Sequence, residues 1–310
     1  MNKLPLFSVI VITYNSAKYI LDTLESIKQQ HYQHLELIIS DDRSTDNTVE
    51  ICKNWLAENS DRFVSSSILV PEQNQGIPAN CNQGLKVAQG DWIKVIAGDD
   101  AFFDDAFENA AQFVVKNPNV KAFCSSVVYY QDNFAPDNEV SRRNDQSLSF
   151  YEANAKRQHF LLIRNNYIHA ASVFLQRGLI LELGGFMEEY KMLEDHPMWL
   201  KITENGEKFY YLPAYTVKYR LHSASIFSHK NAESIFNNFY LKKRSFELEM
   251  IYPHLRWYEK LSYQHNFMVK RFFDGAKLNQ QKTINQFLYQ FLMALSPVAL
   301  IHLLKKSNKR

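Results

Sequence analysis

Trp92-Ile-Lys-Val-Ile-Ala-Gly-Asp-Asp100 is a short apolar run that ends in two adjacent carboxylates. The run has the length and β-branched content of a buried strand, so Asp99 and Asp100 would lie at the carboxyl edge of a sheet, where open α/β folds bind ligands. Adjacent carboxylates resist joint ionisation unless a cation lies near them. Oxygen ligands suit Mn²⁺ or Mg²⁺, so the pair predicts a divalent cation site. The plainer alternative is an exposed turn.

The composition indicates an ordered, cytoplasmic protein. The 310 residues are 46% hydrophobic, enough for one large core or a core with an appendage. Cys52, Cys81 and Cys124 are spaced too widely for a zinc site or a disulfide framework, which favours a reducing compartment. We expect no signal peptide, since no cleavage site follows the first apolar run, and no stretch reaches the roughly 18 apolar residues of a spanning helix.

Strand-like runs alternate with helical patterns over the first hundred residues. The expected strands cover residues 8–13, 35–40, 64–70 and 92–97. This alternation predicts an α/β fold with a Rossmann-like, mainly parallel sheet flanked by helices. Three loops would then meet at one edge of the sheet, namely Tyr14-Asn15, Asp41-Asp42 and Asp99-Asp100.

The remainder of the chain is less regular and ends in a basic segment. A helix is expected over 106–116 and strands over 122–130, 171–175 and 215–221, whereas the polar segment 131–147 predicts a loop. From residue 233 onward the pattern is helical and rich in aromatic residues. Residues 230–310 contain 14 Lys and Arg against 5 Asp and Glu, and the rest of the chain contains 21 against 28, so a basic tail follows an acidic body.

Several of these motifs, in this order, resemble the family-2 glycosyltransferases of GT-A fold. The resemblance covers roughly residues 6–230 and implies a glycosyltransferase domain over 1–229, with a nucleotide-binding half (1–100) and an acceptor and catalytic half (101–229). A basic helical extension, 230–310, lies outside it. The motifs that carry it are Ser8 to Asn15, Leu37 to Asp46, Asn74-Gln-Gly76, Gly90 to Asp100, Gly184-Gly-Phe186, Leu193-Glu-Asp195 and Tyr219-Arg-Leu-His222.

The resemblance implies a donor pocket at the first two loops. Thr13, Tyr14 and Asn15 would line the nucleotide pocket, and Asp42 would accept a hydrogen bond from the base. A uracil ring offers one imide N–H that a fixed carboxylate can select, which favours a UDP-sugar donor. In this interpretation Asp41 has a structural role, in which it braces the turn.

The same resemblance implies a metal site and a catalytic base. Asp100 and His222 would hold Mn²⁺ or Mg²⁺, and Asp99 would contact the donor ribose. Asp195 would take the proton of the acceptor hydroxyl while that oxygen attacks the anomeric carbon with inversion. Structural alternatives stay open, because Asp195 could cap a helix, His222 could be a packed side chain, and Arg220 could pair with a phosphate or with a structural carboxylate.

Two positions depart from the family pattern. Gly98 stands where many members have a third acid of the metal motif. Cys81 stands where many have an arginine, and a thiol cannot replace that charge. Asn80 and Asn82 could bond the donor instead, although a helix cap is the expected role of Asn80.

The apolar segment 291–304 is followed by Lys-Lys-Ser-Asn-Lys-Arg. Broken by Pro297, it is too short to span a bilayer but suits the membrane interface, with the cations at anionic head groups. The alternative is a helix that packs on the catalytic body or in a homodimer. No nucleic-acid recognition motif accompanies the charge, so we expect no nucleic-acid partner.

Together these features predict an inverting, metal-dependent glycosyltransferase. It would move one hexose, glucose or galactose, from a UDP-sugar to a sugar hydroxyl of an undecaprenyl diphosphate-linked oligosaccharide in O-antigen or capsule synthesis, as a peripheral protein on the cytoplasmic face of the cell membrane. A sugar nucleotidyltransferase is a rival, although the Gly-rich loop that it needs is missing from residues 13–18. A non-catalytic subunit that binds nucleotide sugar is another. The processive Gln-X-X-Arg-Trp signature is absent, which favours transfer of a single sugar.

Overall fold

The computed structural model describes residues 4–143, 148–222, 234–299 and 301. By its internal contacts the chain divides into two compact units, Met1–His222 and Ser223–Arg310. The predicted loop at 131–147 and the predicted tail segment at 291–310 lie partly outside the described residues, since 144–147, 300 and 302–310 are not described.

The first unit is built on one mixed sheet. Its order within the described residues is β3-β2-β1-β4-β8-β6-β9-β5, with β7 paired to β6. The strands are β1 (Phe7–Thr13), β2 (Leu35–Asp41), β3 (Ser65–Leu69), β4 (Trp92–Ala97), β5 (Ala101–Phe102), β6 (Ala122–Gln131), β7 (Glu139–Arg143), β8 (Val173–Gln176) and β9 (Phe209–Leu221).

Strands β3, β2, β1 and β4 form the parallel part of this sheet, as the sequence predicts. β1 and β2 are buried along almost their whole length, which explains their continuous apolar runs. Helices cover both faces, and Phe7, Leu37 and Phe107 belong to the main core. The predicted fold class, an α/β sheet flanked by helices, is confirmed.

Eight α-helices belong to the described part of the first unit. They are α1 (Ile20–Lys28), α2 (Thr48–Asn59), α3 (Ile77–Val87), α4 (Ala106–Lys116), α5 (Leu148–Glu152), α6 (Ala155–Leu162), α7 (Arg177–Glu182) and α8 (Asp195–Glu204) among the described residues. Each of the first three follows a parallel strand or leads into the next one, in the manner of a crossover connection.

Two sequence expectations need correction in this unit. The segment 131–147 contains β7, which pairs antiparallel with β6, so its described part is not only a loop. Polar residues obscured this strand because it is largely exposed. β9 begins at Phe209, six residues before the expected start, because Pro213 interrupts its pattern while the pairing with β6 continues on both sides.

The second unit is helical where it is described. It contains α9 (Phe239–Lys242), α10 (Arg244–Phe246), a π-helical turn at Glu247–Ile251, α11 (Trp257–Gly275) and α12 (Thr283–Ala294). The ring of Phe273 on α11 meets that of Tyr289 on α12 at 5.3 Å. Every helix in the described chain is too short or too polar to cross a membrane.

Candidate active site

The acidic loops of the first unit collect at one edge of the sheet. β1, β2 and β4 are parallel, and the two antiparallel steps through β8 give β6 and β9 the same direction as β4. The carboxyl ends of these five strands therefore share one edge. The loops after β1, β2, β4 and β9 supply the candidate site there.

Asp41 is fixed by local hydroxyl and amide donors. Thr13 Oγ1 donates to its Oδ2 at 2.8 Å, and Ser44 donates its backbone N–H to Oδ1 at 2.7 Å and its hydroxyl to Oδ2 at 2.5 Å. Asp41 and Thr13 are both buried. The expectation that Asp41 braces the turn agrees with these contacts, and they also occupy the hydroxyl of Thr13.

Asp42 joins the turn after β2 to the start of α3. Its two carboxylate oxygens accept the backbone N–H groups of Gln75 (2.7 Å) and Gly76 (2.9 Å). A carboxylate has about four acceptor positions, so these bonds leave two unfilled, and the residue is only 5% exposed. Gly76 has φ +95°, and a Cβ there would meet the Lys191 carbonyl oxygen at 2.7 Å, so only glycine permits this junction.

Asn15 and Tyr14, two further residues predicted to bind the donor, differ in how far their side chains are held by contacts within the protein. The Asn15 amide oxygen accepts from the backbone N–H of Thr45 at 2.8 Å, and the Asn15 N–H donates to Ser44 Oγ at 2.8 Å. Asn15 thus ties the first loop to the second. Tyr14 is 52% exposed, which leaves its ring available to stack on a base.

Asn80 and Asn82 are structural in this fold. The residue before α3 is Gly76, so Asn80 lies within the helix and not at its cap, and its Oδ1 accepts from Ser40 Oγ at 2.6 Å. Asn82 donates to the Phe186 carbonyl and accepts from the Phe186 N–H, both at 2.8 Å. The expected cap at Asn80 is therefore wrong, and Asn82 fastens the Gly184-Gly-Phe186 loop to α3.

Asp99 and His222 form the contact at the centre of the site. Asp99 Oδ2 and His222 Nε2 lie 2.9 Å apart, and the Asp99 side chain is 29% exposed. The imidazole packs against Tyr19 at 4.5 Å between ring centroids. Its other nitrogen, Nδ1, is buried and has no hydrogen-bond partner among the described residues, so the ring is not fully satisfied by the protein.

Asp100 lies behind this contact and is only 2% exposed. Its Oδ1 accepts from the backbone N–H of Arg220 at 2.9 Å. Burial, followed by the charge of Asp99, holds the pKa of the Asp100 carboxyl well above its usual range, although Arg220 and Lys94 act in the opposite direction. The ionised form of this pair therefore needs additional positive charge.

Arg220 braces the Asp99–Asp100 turn from inside the fold. Its side chain donates to the carbonyl oxygens of Asp99 and Asp132, each at 2.7 Å, and to Asp22 Oδ2 at 2.7 Å. The guanidinium also lies 4.0 Å from the ring centroid of Phe134. Of the two roles that the sequence left open, the structure supports the structural carboxylate.

Gly98 explains why a third acid is missing from the motif. A Cβ at this position would meet Thr13 Cγ2 at 2.8 Å, because the Gly98 N–H bonds the Ile12 carbonyl and brings the two loops together. No larger residue fits there without movement of β1.

Asp195 is the first residue of α8, and Glu194, at the N-cap position before it, makes no side-chain capping bond. Its Oδ2 accepts from Asn166 Nδ2 at 2.7 Å. Burial and the charge of Asp195 raise the pKa of the neighbouring Glu194 to about 8, so Glu194 is mostly protonated at neutral pH. Of the two acids, Asp195 has the fixed carboxylate geometry that a base requires.

Tyr219 links the two acidic regions electrostatically. Burial raises the pKa of its phenol well above the usual range, with further contributions from Asp100, Asp99 and Glu194. The buried Cys81 thiol also has a raised pKa, through burial and then the charge of Glu194. The Cys81 thiol is thus within electrostatic reach of Glu194, the residue before the predicted base, and it carries no positive charge.

The residues at the edge fit a divalent cation. Asp99 Oδ2 and His222 Nε2, which share a hydrogen bond at 2.9 Å, are both atoms of the kinds that ligate divalent cations. No group of three or more His, Cys, Asp or Glu side chains in the described residues is arranged around one point. Such an ion would therefore depend on donor phosphates and water for most of its ligands.

Sequence reasoning missed Asn166 and did not identify the partners of Arg220. Asn166 is 29 residues from Asp195 and lies in a segment without periodicity, so no local signal connects them. Arg220 stands beside His222 in the motif, but its partner Asp22 is 198 residues away.

Comparison with known proteins identifies the family. The model of Glycosyl transferase family 2 matches residues 8–178, more than half of the chain. The chain belongs to this family. The putative teichuronic acid biosynthesis glycosyltransferase TuaG of Bacillus subtilis is 28% identical over 226 residues, which cover 73% of this chain and 83% of TuaG.

Two solved structures share the GT-A fold of this family member. Staphylococcus aureus TarS 1-349 in complex with UDP-GlcNAc is 20% identical, with a TM-score of 0.59 and coverage of 93% of this chain and 79% of that one. The mannosyltransferase PcManGT of Pyrobaculum calidifontis, in complex with GDP-Man and Mn²⁺, is 20% identical, with a TM-score of 0.55 and coverage of 81% and 64%. The predicted family and fold are confirmed.

Proposed function

We propose that this chain transfers a single hexose from a UDP-sugar to a sugar hydroxyl, with inversion and with the help of Mn²⁺ or Mg²⁺. The observation that carries the proposal is the 2.9 Å contact between Asp99 and His222 at the carboxyl edge of the sheet, beside the buried Asp100. The adjacent carboxylates Asp99 and Asp100 need positive charge in order to be ionised together, and a nucleoside diphosphate sugar brings a diphosphate that binds such a cation.

The metal assignment rests on the 29% exposure of the Asp99 side chain and on its contact with His222, whose own side chain is buried. Asp99 and His222 would hold the ion, and Asp100, which the sequence favoured as a ligand, would support Asp99 from behind. When bound, the ion would supply the positive charge that neutralises the leaving nucleoside diphosphate. The Mn²⁺ in the PcManGT complex supports a divalent ion in this fold.

The nucleotide would lie across the first two loops. Asp42 keeps free acceptor positions for an imide N–H, and Tyr14 offers an exposed ring, while Thr13 and Asn15 hold the loops in place. The two solved relatives carry UDP-GlcNAc and GDP-Man, so the fold accepts both bases. We favour UDP because a uracil ring offers one imide N–H to the fixed carboxylate of Asp42.

Calorimetric titration with UDP, GDP and dTDP, with and without Mn²⁺, tests the donor site. We expect Mn²⁺-dependent binding of UDP that is lost in Asp99→Asn and in Asp42→Ala, whereas Asp61→Asn, an exposed aspartate outside the proposed site, should bind as the wild type does. Absence of nucleotide binding with and without metal would refute the proposal.

Asp195 would act as the base for the acceptor hydroxyl, with Asn166 holding its carboxylate at 2.7 Å. Asp195→Asn should lower the transfer rate by about 10²–10⁴-fold and leave UDP affinity unchanged. Glu204→Gln, at the exposed far end of the same helix, is the matched control. A protein that only binds nucleotide sugar would show no turnover in the wild type and no change in either variant.

The acceptor is proposed to be a lipid-linked oligosaccharide on the cytoplasmic face of the cell membrane, in polysaccharide assembly of the O-antigen or capsule type. The description of TuaG as a teichuronic acid biosynthesis enzyme supports polymer assembly. The basic second unit, which we propose as a separate membrane-associating extension, supports a membrane location. Efficient transfer to free sugars, with none to an undecaprenyl diphosphate-linked analogue, would contradict this acceptor.

A further inference from the structure

Large apolar side chains are exposed mainly in the second unit. Of the twenty exposed large hydrophobic residues in the described chain, eleven lie between residues 241 and 295. Those of the first unit are mainly single valines and leucines on separate elements. Those of the second unit include a tryptophan, a methionine and three phenylalanines. Soluble surfaces rarely concentrate such side chains unless the surface binds something.

On α11 the exposed residues form one stripe. Trp257, Leu261, Met268 and Phe272 are separated by four, seven and four residues, so they share a face of the helix, and they are 52–71% exposed. The buried residues Ser262, Val269 and Phe273 lie on a different face. The residues of this stripe are therefore not the ones that pack α11 within its unit.

On α12 the exposed stripe is stronger, and the helix has no charged residue. Ile284, Phe287 and Phe291 are 76%, 70% and 53% exposed and recur every three or four residues. Leu288 and Leu295 extend the same face. A helix with exposed aromatic rings and no charge is suited to insert its face into an apolar medium.

The described part of the second unit is net basic. Residues 234–299 contain nine Lys and Arg against four Asp and Glu. Lys277 and Lys282 lie in the connection from α11 to α12, directly before the uncharged helix, and both are exposed. Exposed apolar rings on a net-basic unit match the two layers of an anionic membrane surface, the acyl region and the head groups.

We propose that the exposed faces of α11 and α12 form the membrane-binding surface of this protein and that its partner is an anionic lipid bilayer. The apolar stripes would lie at the boundary of head groups and acyl chains, and the lysines would contact anionic head groups. This proposal deepens the membrane location in the proposed function, and it stands on residues separate from the nucleotide site.

A second copy of the chain is the competing occupant. Two copies meeting through these faces would bring two net-basic surfaces together, which opposes association at low ionic strength. An anionic bilayer is favoured by both the apolar and the charged component. Charge complementarity therefore selects the membrane.

Vesicle co-sedimentation of the full chain tests the proposal. Vesicles of phosphatidylcholine alone are compared with equal mixtures of phosphatidylcholine and phosphatidylglycerol, at low and high salt. The variant Phe287→Gln/Phe291→Gln removes two exposed rings from α12. The control Val87→Gln/Val115→Gln makes the same replacement at exposed apolar positions on helices of the first unit.

We expect the wild type and the control to bind the anionic vesicles, less at high salt, and the α12 variant to bind about tenfold or more weakly. Equal binding by wild type and α12 variant, or no binding by the wild type, would overturn the proposal. Sedimentation velocity without lipid supplies the other overturning result, a wild-type dimer that the variant dissociates. UDP titration of the same samples separates a failed membrane surface from a failed donor site.

Discussion

Two pairs of adjacent aspartates lie at the ends of the two strands that flank β1, and they differ in how many hydrogen bonds their carboxylates accept from the protein. The Asp41–Asp42 pair, at the end of β2, accepts hydrogen bonds on all four carboxylate oxygens from hydroxyl and backbone N–H groups. The Asp99–Asp100 pair, after β4, has a histidine contact on one acid and a backbone N–H on the other, and burial raises the pKa of Asp100.

The difference teaches how to separate an acidic pair that the fold itself stabilises in the ionised form from one that needs a cation. Carboxylates that accept several N–H and O–H groups are stabilised as anions by the fold itself. When adjacent carboxylates are buried and accept few hydrogen bonds, ionising both of them is unfavourable unless a cation binds nearby. Both pairs read as Asp-Asp after a strand, so the surrounding donors, and not the motif, distinguish their roles.

Among substitutions in the two acidic pairs, we expect the largest loss of activity at Asp99. Asp99→Asn removes the exposed charge of the second pair, and we expect a loss of transfer activity of about 100-fold or more, together with loss of the Mn²⁺ dependence of UDP binding. Folding should be retained, since the amide is isosteric. Activity assays across a Mn²⁺ series, beside thermal unfolding, measure both properties. Full activity with an unchanged Mn²⁺ midpoint would remove Asp99 from the metal site.

Asp41→Asn should have the opposite profile. The amide nitrogen cannot accept the bonds that Thr13 and Ser44 donate, so we expect a loss of about 1–3 kcal/mol in the free energy of unfolding. The Mn²⁺ dependence should persist in the folded fraction. Urea denaturation compared with Asp61→Asn, at an exposed position, measures the change. An unchanged unfolding free energy would mean that these bonds do not stabilise the turn.

Glu194 and Asp195 form a third acidic pair, which can be tested through the pH dependence of the free energy of unfolding. Glu194 has an ordinary pKa of 4.5 and a folded pKa of about 8, so the folded chain binds the extra proton between these values and its stability falls as pH rises through that window. Glu194→Gln does not titrate. Its stability relative to the wild type should therefore rise with pH, by at most about 1.4 kcal/mol per pH unit. Urea denaturation at several pH values from 4.5 to about 8 tests this. Parallel stability curves would show that Glu194 is not buried as a neutral acid.

The sequence predicted the parallel half of the fold closely because each element there is set by local pattern. The strand over 92–97 and the helix over 106–116 have the expected bounds, and the ends of β1 and β2 differ by one residue. β7 escaped prediction because an exposed edge strand has no apolar alternation. The motifs located the acidic pairs, but the partners of Asp195 and Arg220 depend on contacts between distant segments.

The smallest effect is expected at Asp22, which pairs with Arg220 at the surface end of the brace behind Asp99 and Asp100. The Asp22 side chain is 55% exposed, so its ion pair is screened by solvent, and Asp22→Asn should cost less than about 1 kcal/mol of unfolding free energy. Arg220 keeps its bonds to the carbonyls of Asp99 and Asp132 in this variant, so the Mn²⁺ midpoint should stay within about threefold of the wild type. Mn²⁺ titration of UDP binding beside urea denaturation provides both numbers. A large shift of the Mn²⁺ midpoint with unchanged stability would mean that the ion pair with Asp22 weakens the effect of Arg220 on Asp99 and Asp100. Arg220 would then supply part of the positive charge that these two carboxylates need.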